Sequence, residues 1–284
     1  RIRVHAAAVN PTDTVLRSGG RAERLKDVPP PHVPGMDAAG VLEEIGGGAE
    51  TDLAVGEPVM AVVLPLGTRG AYAERVVVPA ESVVRVPAGA SDVEAATLPM
   101  NGLTARVALD ALALEPGQVV AVTGAAGAVG GYTVQLAKAD GLVVAADAAP
   151  ADEALVRALG ADTVLARGAD FAAQVREQWP EGVYGLVDAA LMDGAVVEAV
   201  RDGGAVATLR GFDGSGPEDR GVRFFPLYVR KHARDHATLD SLRALAEAGV
   251  VTLRVARTFP AEEAPEAHRL FEAGGVRGRL VLTF

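Results

Sequence analysis

The sequence predicts an α/β chain: a doubly wound parallel sheet preceded by an irregular, mostly β region. Three observations predict it. Residues 119–147 read as strand, glycine turn, helix, strand and acid. From residue 147 to about residue 209, strand-like and helix-like stretches alternate, the pattern of a parallel sheet. Residues 1 to about 100 instead carry short β-like runs broken by glycine and proline.

Composition narrows the function classes. The chain has 284 residues, enough for one large or two modest domains. Hydrophobic residues make up 49% and charged residues 23%, the balance of an ordinary globular protein, and no apolar run reaches the ~20 residues of a membrane span. A formal charge of −10 argues against a nucleic-acid or anionic-membrane partner. There is no cysteine, which excludes disulfides, thiolate zinc sites and cysteine nucleophiles. No signal-peptide pattern opens the chain, so a cytoplasmic location is expected. Arg1 falls in what reads as mid-strand, and residues preceding it are expected.

Taking the elements in order, residues 1–7, 41–45, 59–64, 73–78 and 82–86 read as strands, with glycine and proline clusters between them. At Ser91 the character changes. Ser91-Asp92-Val93-Glu94 is a capping-box pattern, in which hydroxyl and carboxylate satisfy N–H groups at a helix start. Helical sequence then runs to Leu114, interrupted near Pro99, and residues 115–118 form a turn. Beyond Asp147, residues 152–159, 171–179 and 195–201 read as helices, and 162–165, 185–190 and 205–209 as strands. A helix is expected over 239–248 and another over 261–273, with strands at 251–255 and 280–284.

The segment 119–147 carries the chemistry. After the apolar run ending at Thr123 come Gly124-Ala125-Ala126-Gly127-Ala128-Val129-Gly130. Gly127 lacks a Cβ, so a diphosphate could approach the backbone, and Gly130 lets the helix lie close to the strand. The N–H groups and dipole at the helix start attract anions. Asp147 follows Gly124 by 23 positions, near the spacing of the acid that holds an adenine ribose in dinucleotide-binding folds. The pattern departs from G-x-G-x-x-G at Ala125.

An ordered set of landmarks adds to this: Asn10-Pro11-Thr12-Asp13, residues 34–40, residues 70–74, residues 101–105, the glycine turn, residues 159–162, residues 266–269 and residues 278–282. Together they resemble the medium-chain dehydrogenase/reductase superfamily, in its zinc-free quinone oxidoreductase (zeta-crystallin-like) branch. The resemblance implies a Rossmann domain over 103–235 and a GroES-like catalytic domain formed from both chain ends, 1–102 and 236–284, with N-terminal strands missing. It implies an NAD(P)H-dependent oxidoreductase that passes hydride from nicotinamide C4 to a quinone or carbonyl-activated C=C bond. A homodimer is expected, with residues 224–228 as the contact.

Carried over residue by residue, the resemblance gives Asn10 and Asp13 the catalytic Asn-x-x-Asp positions. It places Thr104, Thr123, residues Gly124 to Gly130, and Leu209, Arg210 and Gly211 around the cofactor. The tyrosine that many members carry two residues after the aspartate is Val15 here, so the proton donor is unassigned. Serine and lysine positions for the 2′-phosphate of NADPH read Ala148 and Asp152, and a valine-glycine pair reads Ala190-Leu191-Met192. Asp147 would repel that phosphate and Arg167 could offset it, so a slight preference for NADH is expected.

Plainer readings stand beside these. Asn10 and Asp13 could simply cap a helix beginning at Pro11. His232 and His236 share a metal-like i, i+4 spacing but have no third ligand nearby in sequence. Other activities remain open, namely alcohol or carbonyl oxidoreduction and cofactor binding without turnover.

Overall fold

The computed structural model describes residues 1–214 and 220–284. The chain divides into two compact units, one formed by residues 1–103 with 230–284 and the other by residues 104–229.

The first unit begins with β1 (Ile2–Ala8), α1 (Pro11–Arg17), α2 (Ala22–Leu25), β2 (Asp37–Leu42), β3 (Pro58–Val62), β4 (Arg75–Val76), β5 (Val83–Arg85) and α3 (Asp92–Ala95). Then α4 (Pro99–Leu112) leads into the second unit. That unit holds β6 (Val119–Thr123), α5 (Ala128–Ala139), β7 (Val143–Ala148), α6 (Glu153–Ala158), β8 (Thr163–Ala166), α7 (Phe171–Gln178), β9 (Val183–Asp188), β10 (Val200–Thr208) and β11 (Arg223–Pro226). The chain returns to the first unit with α8 (His236–Glu247), β12 (Val255–Pro260), α9 (Ala264–Ala273) and β13 (Arg279–Thr283).

In the first unit the strand order is β12-β13-β1-β2-β3-β5, with β4 also pairing β1. The two chain ends meet in register, Ala6 opposite Thr283 and Ala8 opposite Val281. Alternation along β1 sends Ile2 and Val4 into a core with Leu42, Val59 and Val83, while Val9, Phe259, Leu280 and Leu282 form a second cluster. The capping box forms as expected: Ser91 N–H donates to Glu94 Oε2 at 2.9 Å, and Glu94 N–H to Ser91 Oγ at 3.3 Å.

In the second unit all six strands are parallel, in the order β11-β10-β9-β6-β7-β8. Their faces read as continuous apolar runs because helices cover both sides. Phe171, Val175, Leu186, Val196 and Val206 pack together on one face. The order reverses direction between β6 and β9, which makes the carboxyl ends of those strands the switch point where ligands bind such sheets. This is the doubly wound Rossmann sheet expected, and the first unit is the irregular β-rich companion.

Several expected elements shift. The strand expected at 41–45 lies at Asp37–Leu42, because Ala38, Ala39 and Gly40 pack between β1 and β3; a Cβ on Gly40 would meet Arg3 O at 2.0 Å, beside an irregularity in the β1–β2 register. Intrinsic propensity disfavours Ala and Gly in strands, and tertiary fit overrides it here. The helix expected at 195–201 is a 3₁₀ helix over Asp193–Ala199, and Val200 already pairs with Val183. The strand expected at 251–255 starts only at Val255, where pairing with β13 begins. His232 closes a short 3₁₀ turn and His236 opens α8, so the two do not share one helix face.

Candidate functional site

The second unit gathers most of the expected cofactor residues at one edge of its sheet. Thr123 ends β6, Gly124 to Gly130 run into α5, Asp147 lies near the end of β7, Arg167 follows β8, and Leu209, Arg210 and Gly211 follow β10. Gly124 turns the chain with φ of +65°, a left-handed conformation that glycine adopts without penalty. A Cβ on Gly130 would stand 2.2 Å from Gly124 O, so only glycine lets α5 come this close to β6. Gly127 is the N-cap of α5, with φ of −73°, and a Cβ there would lie 3.0 Å from Gly124 O. The glycine turn therefore lies at the N-terminus of α5, a position that suits a diphosphate.

Asp147 is 1% exposed, and both of its oxygens are engaged. Oδ1 accepts from Ala125 N–H at 3.0 Å, which holds the glycine turn, and Oδ2 accepts from Arg167 Nε–H at 3.2 Å. The acid and the cation that the sequence set against each other are thus one ion pair. Sequence reasoning missed Asp188, fully buried at the end of β9. Thr123 Oγ donates to Asp188 Oδ1 at 2.6 Å and accepts from Ala190 N–H at 3.1 Å, while Asp193 N–H donates to Asp188 Oδ2 at 2.8 Å. These bonds hold the segment after β9, in which Leu191 (φ +60°) and Asp193 (φ +52°) are left-handed. Thr104 lies apart from this edge in sequence, half-buried in α4.

In the first unit, Asn10 and Asp13 belong to a buried polar network. Asp13 Oδ2 accepts from Asn10 N–H at 2.8 Å, and its Oδ1 accepts from Gly35 N–H at 2.9 Å. Asn10 Nδ2–H donates to Asp37 Oδ2 at 2.6 Å, and Asn10 Oδ1 accepts from Arg279 Nη2–H at 3.0 Å. Arg279 also donates to Asn101 Oδ1, and Asp37 Oδ1 accepts from Met100 N–H at 2.6 Å. Tyr72 OH lies 3.3 Å from Asp13 Oδ2 and 3.1 Å from His268 Nε2.

Burial pushes Asp13 above the usual carboxylate range and raises Asp37 to about 7, against the pull of their N–H donors. Burial, then the Asp13 charge, raises Tyr72 well above its ordinary value, and burial, then Arg17, lowers His268. The helix-capping reading of Asn10 and Asp13 is therefore present in the geometry. Asn10 and Asp13 are 2% and 1% exposed, and their hydrogen bonds tie α1 to β2 and Arg279. The sequence flagged residues 34–40, 101–105 and 278–282 as landmarks, and that was the one signal for Asp37, Asn101 and Arg279.

A parallel sheet with a glycine turn at its switch point defines a dinucleotide-binding fold. Residues 1–88 match the alcohol dehydrogenase GroES-like domain, and residues 159–282 match the zinc-binding dehydrogenase model. The chain is 33% identical to a 2-haloacrylate reductase of a Burkholderia species, over 99% of this chain and 90% of that one. It is 32% identical to a polyketide synthase of Streptomyces halstedii, over all of this chain but 5% of that protein's length. The structure of the quinone oxidoreductase from Coxiella burnetii superposes with a TM-score of 0.86 at 28% identity, covering 100% of this chain and 89% of that one.

The chain belongs to the medium-chain dehydrogenase/reductase superfamily, in the branch of quinone oxidoreductases and enoyl reductases. It is an NAD(P)H oxidoreductase of that kind.

Proposed function

We propose that this chain reduces a carbonyl-activated C=C bond or a quinone with NAD(P)H and without a metal. The observation that carries the reading is the turn Gly124 to Gly130, closed against β6 where no Cβ fits and anchored through Ala125 N–H to Asp147. When bound, the nicotinamide supplies the hydride. The chain's own residues would do the rest. Gly127 and the first turn of α5 would hold the diphosphate. Asp147 and Arg167 would face the adenosine ribose. Thr104 and the segment Leu209, Arg210 and Gly211 would border the nicotinamide. Asn10 and Asp13 would fix the wall of the acceptor site by holding α1. Position 15 is valine, so water supplies the proton to the product.

Metal independence is proposed because the sequence has no cysteine and, among the described residues, no three His, Asp or Glu side chains are grouped for a metal. NADH is favoured only slightly, since Arg167 offsets the Asp147 charge. The second unit is proposed as the cofactor domain and the first as the catalytic domain. A homodimer would pair along β11, the edge of the six-stranded sheet, where Tyr228 is 60% exposed just beyond the strand. Phe224 is a poorer contact than the sequence suggested, because it packs against its own core.

A panel of quinones and enones with NADH or NADPH, with and without exhaustive chelation, tests the reading. Turnover of at least one acceptor, unchanged by chelator, is expected. Cofactor binding with no turnover of any acceptor would point to a sensor or scaffold instead, and loss of rate on chelation would point to metal-assisted alcohol or carbonyl chemistry.

A further inference from the structure

Several arginines elsewhere in the first unit meet carboxylates: Arg17 with Glu272, Arg75 with Glu43, Arg85 with Asp52 and Arg243 with Asp240. Arg21, Arg24 and Arg230 line one small cavity with Thr12, Asp13 and Met36. Among the described residues, none of the three has a carboxylate within ion-pair distance.

In a chain with 37 acidic and 27 basic residues, three guanidinium groups sharing a cavity with a single carboxylate, Asp13, leave positive charge for a further anion to offset. Burial and then Arg24 lower Arg21, against the pull of Asp13, and burial, Arg24 and Arg21 lower Arg230. The one carboxylate in the wall, Asp13, has its oxygens engaged by the N–H groups of Asn10 and Gly35. Thr12 Oγ is turned to Met36 Sδ at 2.8 Å. The rest of the wall is apolar, including Leu16 and Leu66.

The cavity holds about 30 Å³, and a water needs roughly 10–15 Å³, so there is room for about two oxygen-sized groups. Two oxygens are a carboxylate; a phosphate carries more. Planar guanidinium forks suit that shape. The cavity shares Thr12 and Asp13 with the Asn10–Asp13 segment that borders the acceptor under the reading above, and the inference rests on that reading.

We propose that Arg21, Arg24 and Arg230 form a subsite for a free carboxylate carried by the acceptor, so that the preferred substrates are unsaturated acids rather than neutral enones or quinones.

The test compares (E)-4-oxopent-2-enoate with its methyl ester, which keeps the ketone-conjugated double bond, removes the charge and is intrinsically the more electrophilic of the two. The kcat/KM of the acid should exceed that of the ester by about tenfold or more, as a charged hydrogen bond implies. In Arg21→Ala and in Arg230→Ala the acid-to-ester ratio should fall to about one, chiefly through KM of the acid. Arg21→Lys keeps the charge and should restore part of the ratio, which guards against a folding artefact. An acid-to-ester ratio of one or less in the wild type, or a ratio indifferent to both alanine variants, overturns the proposal.

A second arm needs no turnover: calorimetric titration of the full chain with saturated 4-oxopentanoate and, separately, with inorganic phosphate. Binding of the acid that is lost in Arg21→Ala supports the subsite. No binding of the acid overturns it, and tighter binding of phosphate overturns the carboxylate assignment. If neither acceptor is reduced, the activated-C=C reading of the acceptor fails on its own while the titration still decides the subsite.

Discussion

Cofactor choice should turn on the Asp147–Arg167 pair, and removing the arginine alone exposes what it does. In Arg167→Ala, Asp147 keeps the Ala125 N–H at 3.0 Å but loses the Arg167 guanidinium, at 3.2 Å. A 2′-phosphate brought about 4 Å from that unpaired carboxylate meets a repulsion of roughly 1 kcal/mol in water-like surroundings and about 4 at an effective dielectric near 20. The Arg167 side chain is 40% exposed and Asp147 1%, so the lower half of that range applies, about 1–2 kcal/mol, or roughly five- to thirtyfold in affinity.

The wild type should therefore favour NADH by only a few-fold, and Arg167→Ala should widen the preference about tenfold by weakening NADPH. Asp147→Ser should erase it, at some cost to the anchoring of the glycine turn. The assay is dissociation constants for both cofactors by fluorescence titration, with kcat/KM ratios alongside. A wild-type preference for NADPH of tenfold or more, or an Arg167→Ala variant whose ratio does not move, would refute the reasoning.

The remaining predictions rest on separate features. Gly127→Val should leave the fold intact, because φ of −73° suits any residue, yet raise the cofactor dissociation constant by about tenfold or more. Gly130→Ala should instead cost about 1–3 kcal/mol of stability, since its Cβ would sit 2.2 Å from Gly124 O; urea denaturation separates the two outcomes. Leu191→Gly should stabilise by about 1 kcal/mol, because φ of +60° strains leucine and not glycine, and an unchanged or lowered Tm would count against that strain. Asp37, raised from 3.8 to about 7, binds a proton in the folded state over that window and not when unfolded, so its contribution to stability falls as pH rises from about 4 through 7. The stability of the wild type relative to Asp37→Asn should drop by on the order of 4 kcal/mol across that range, and a flat difference would show that Asp37 stays ionised.

What the sequence made legible was local. Residues 119–147 announce strand, turn, helix and acid within one stretch, because each step is dictated by neighbours a few positions apart. The capping box at Ser91 and Glu94 was readable for the same reason. What stayed hidden depends on distant partners. Nothing near Asp147 in sequence says that Arg167 neutralises it, and the cluster of Arg21, Arg24 and Arg230 joins positions some two hundred residues apart. Asp37–Leu42 escaped notice as a strand because Ala38, Ala39 and Gly40 earn their place through close approach to β1, not through propensity. Asn10 and Asp13 stood out in the sequence, but their partners Asp37, Gly35 and Arg279 lie far along the chain and were not legible from it.

The pairing of the chain's two ends has a consequence for how the molecule is made. β1 lies between β13 and β2, and Asn10 bonds to Arg279, 269 positions away. During synthesis the Ala6–Ala8 end of β1 waits for its β13 partner until residue 283 has emerged. Closing so long a loop from an unstructured chain costs roughly 5 kcal/mol of entropy, growing as the logarithm of loop length. Residues 104–229, whose contacts are nearer in sequence, can collapse first and shorten that loop. The order of assembly is then inside before ends, and a ribosome stalled before β13 should leave the amino-terminal segment open to protease while the central sheet resists it.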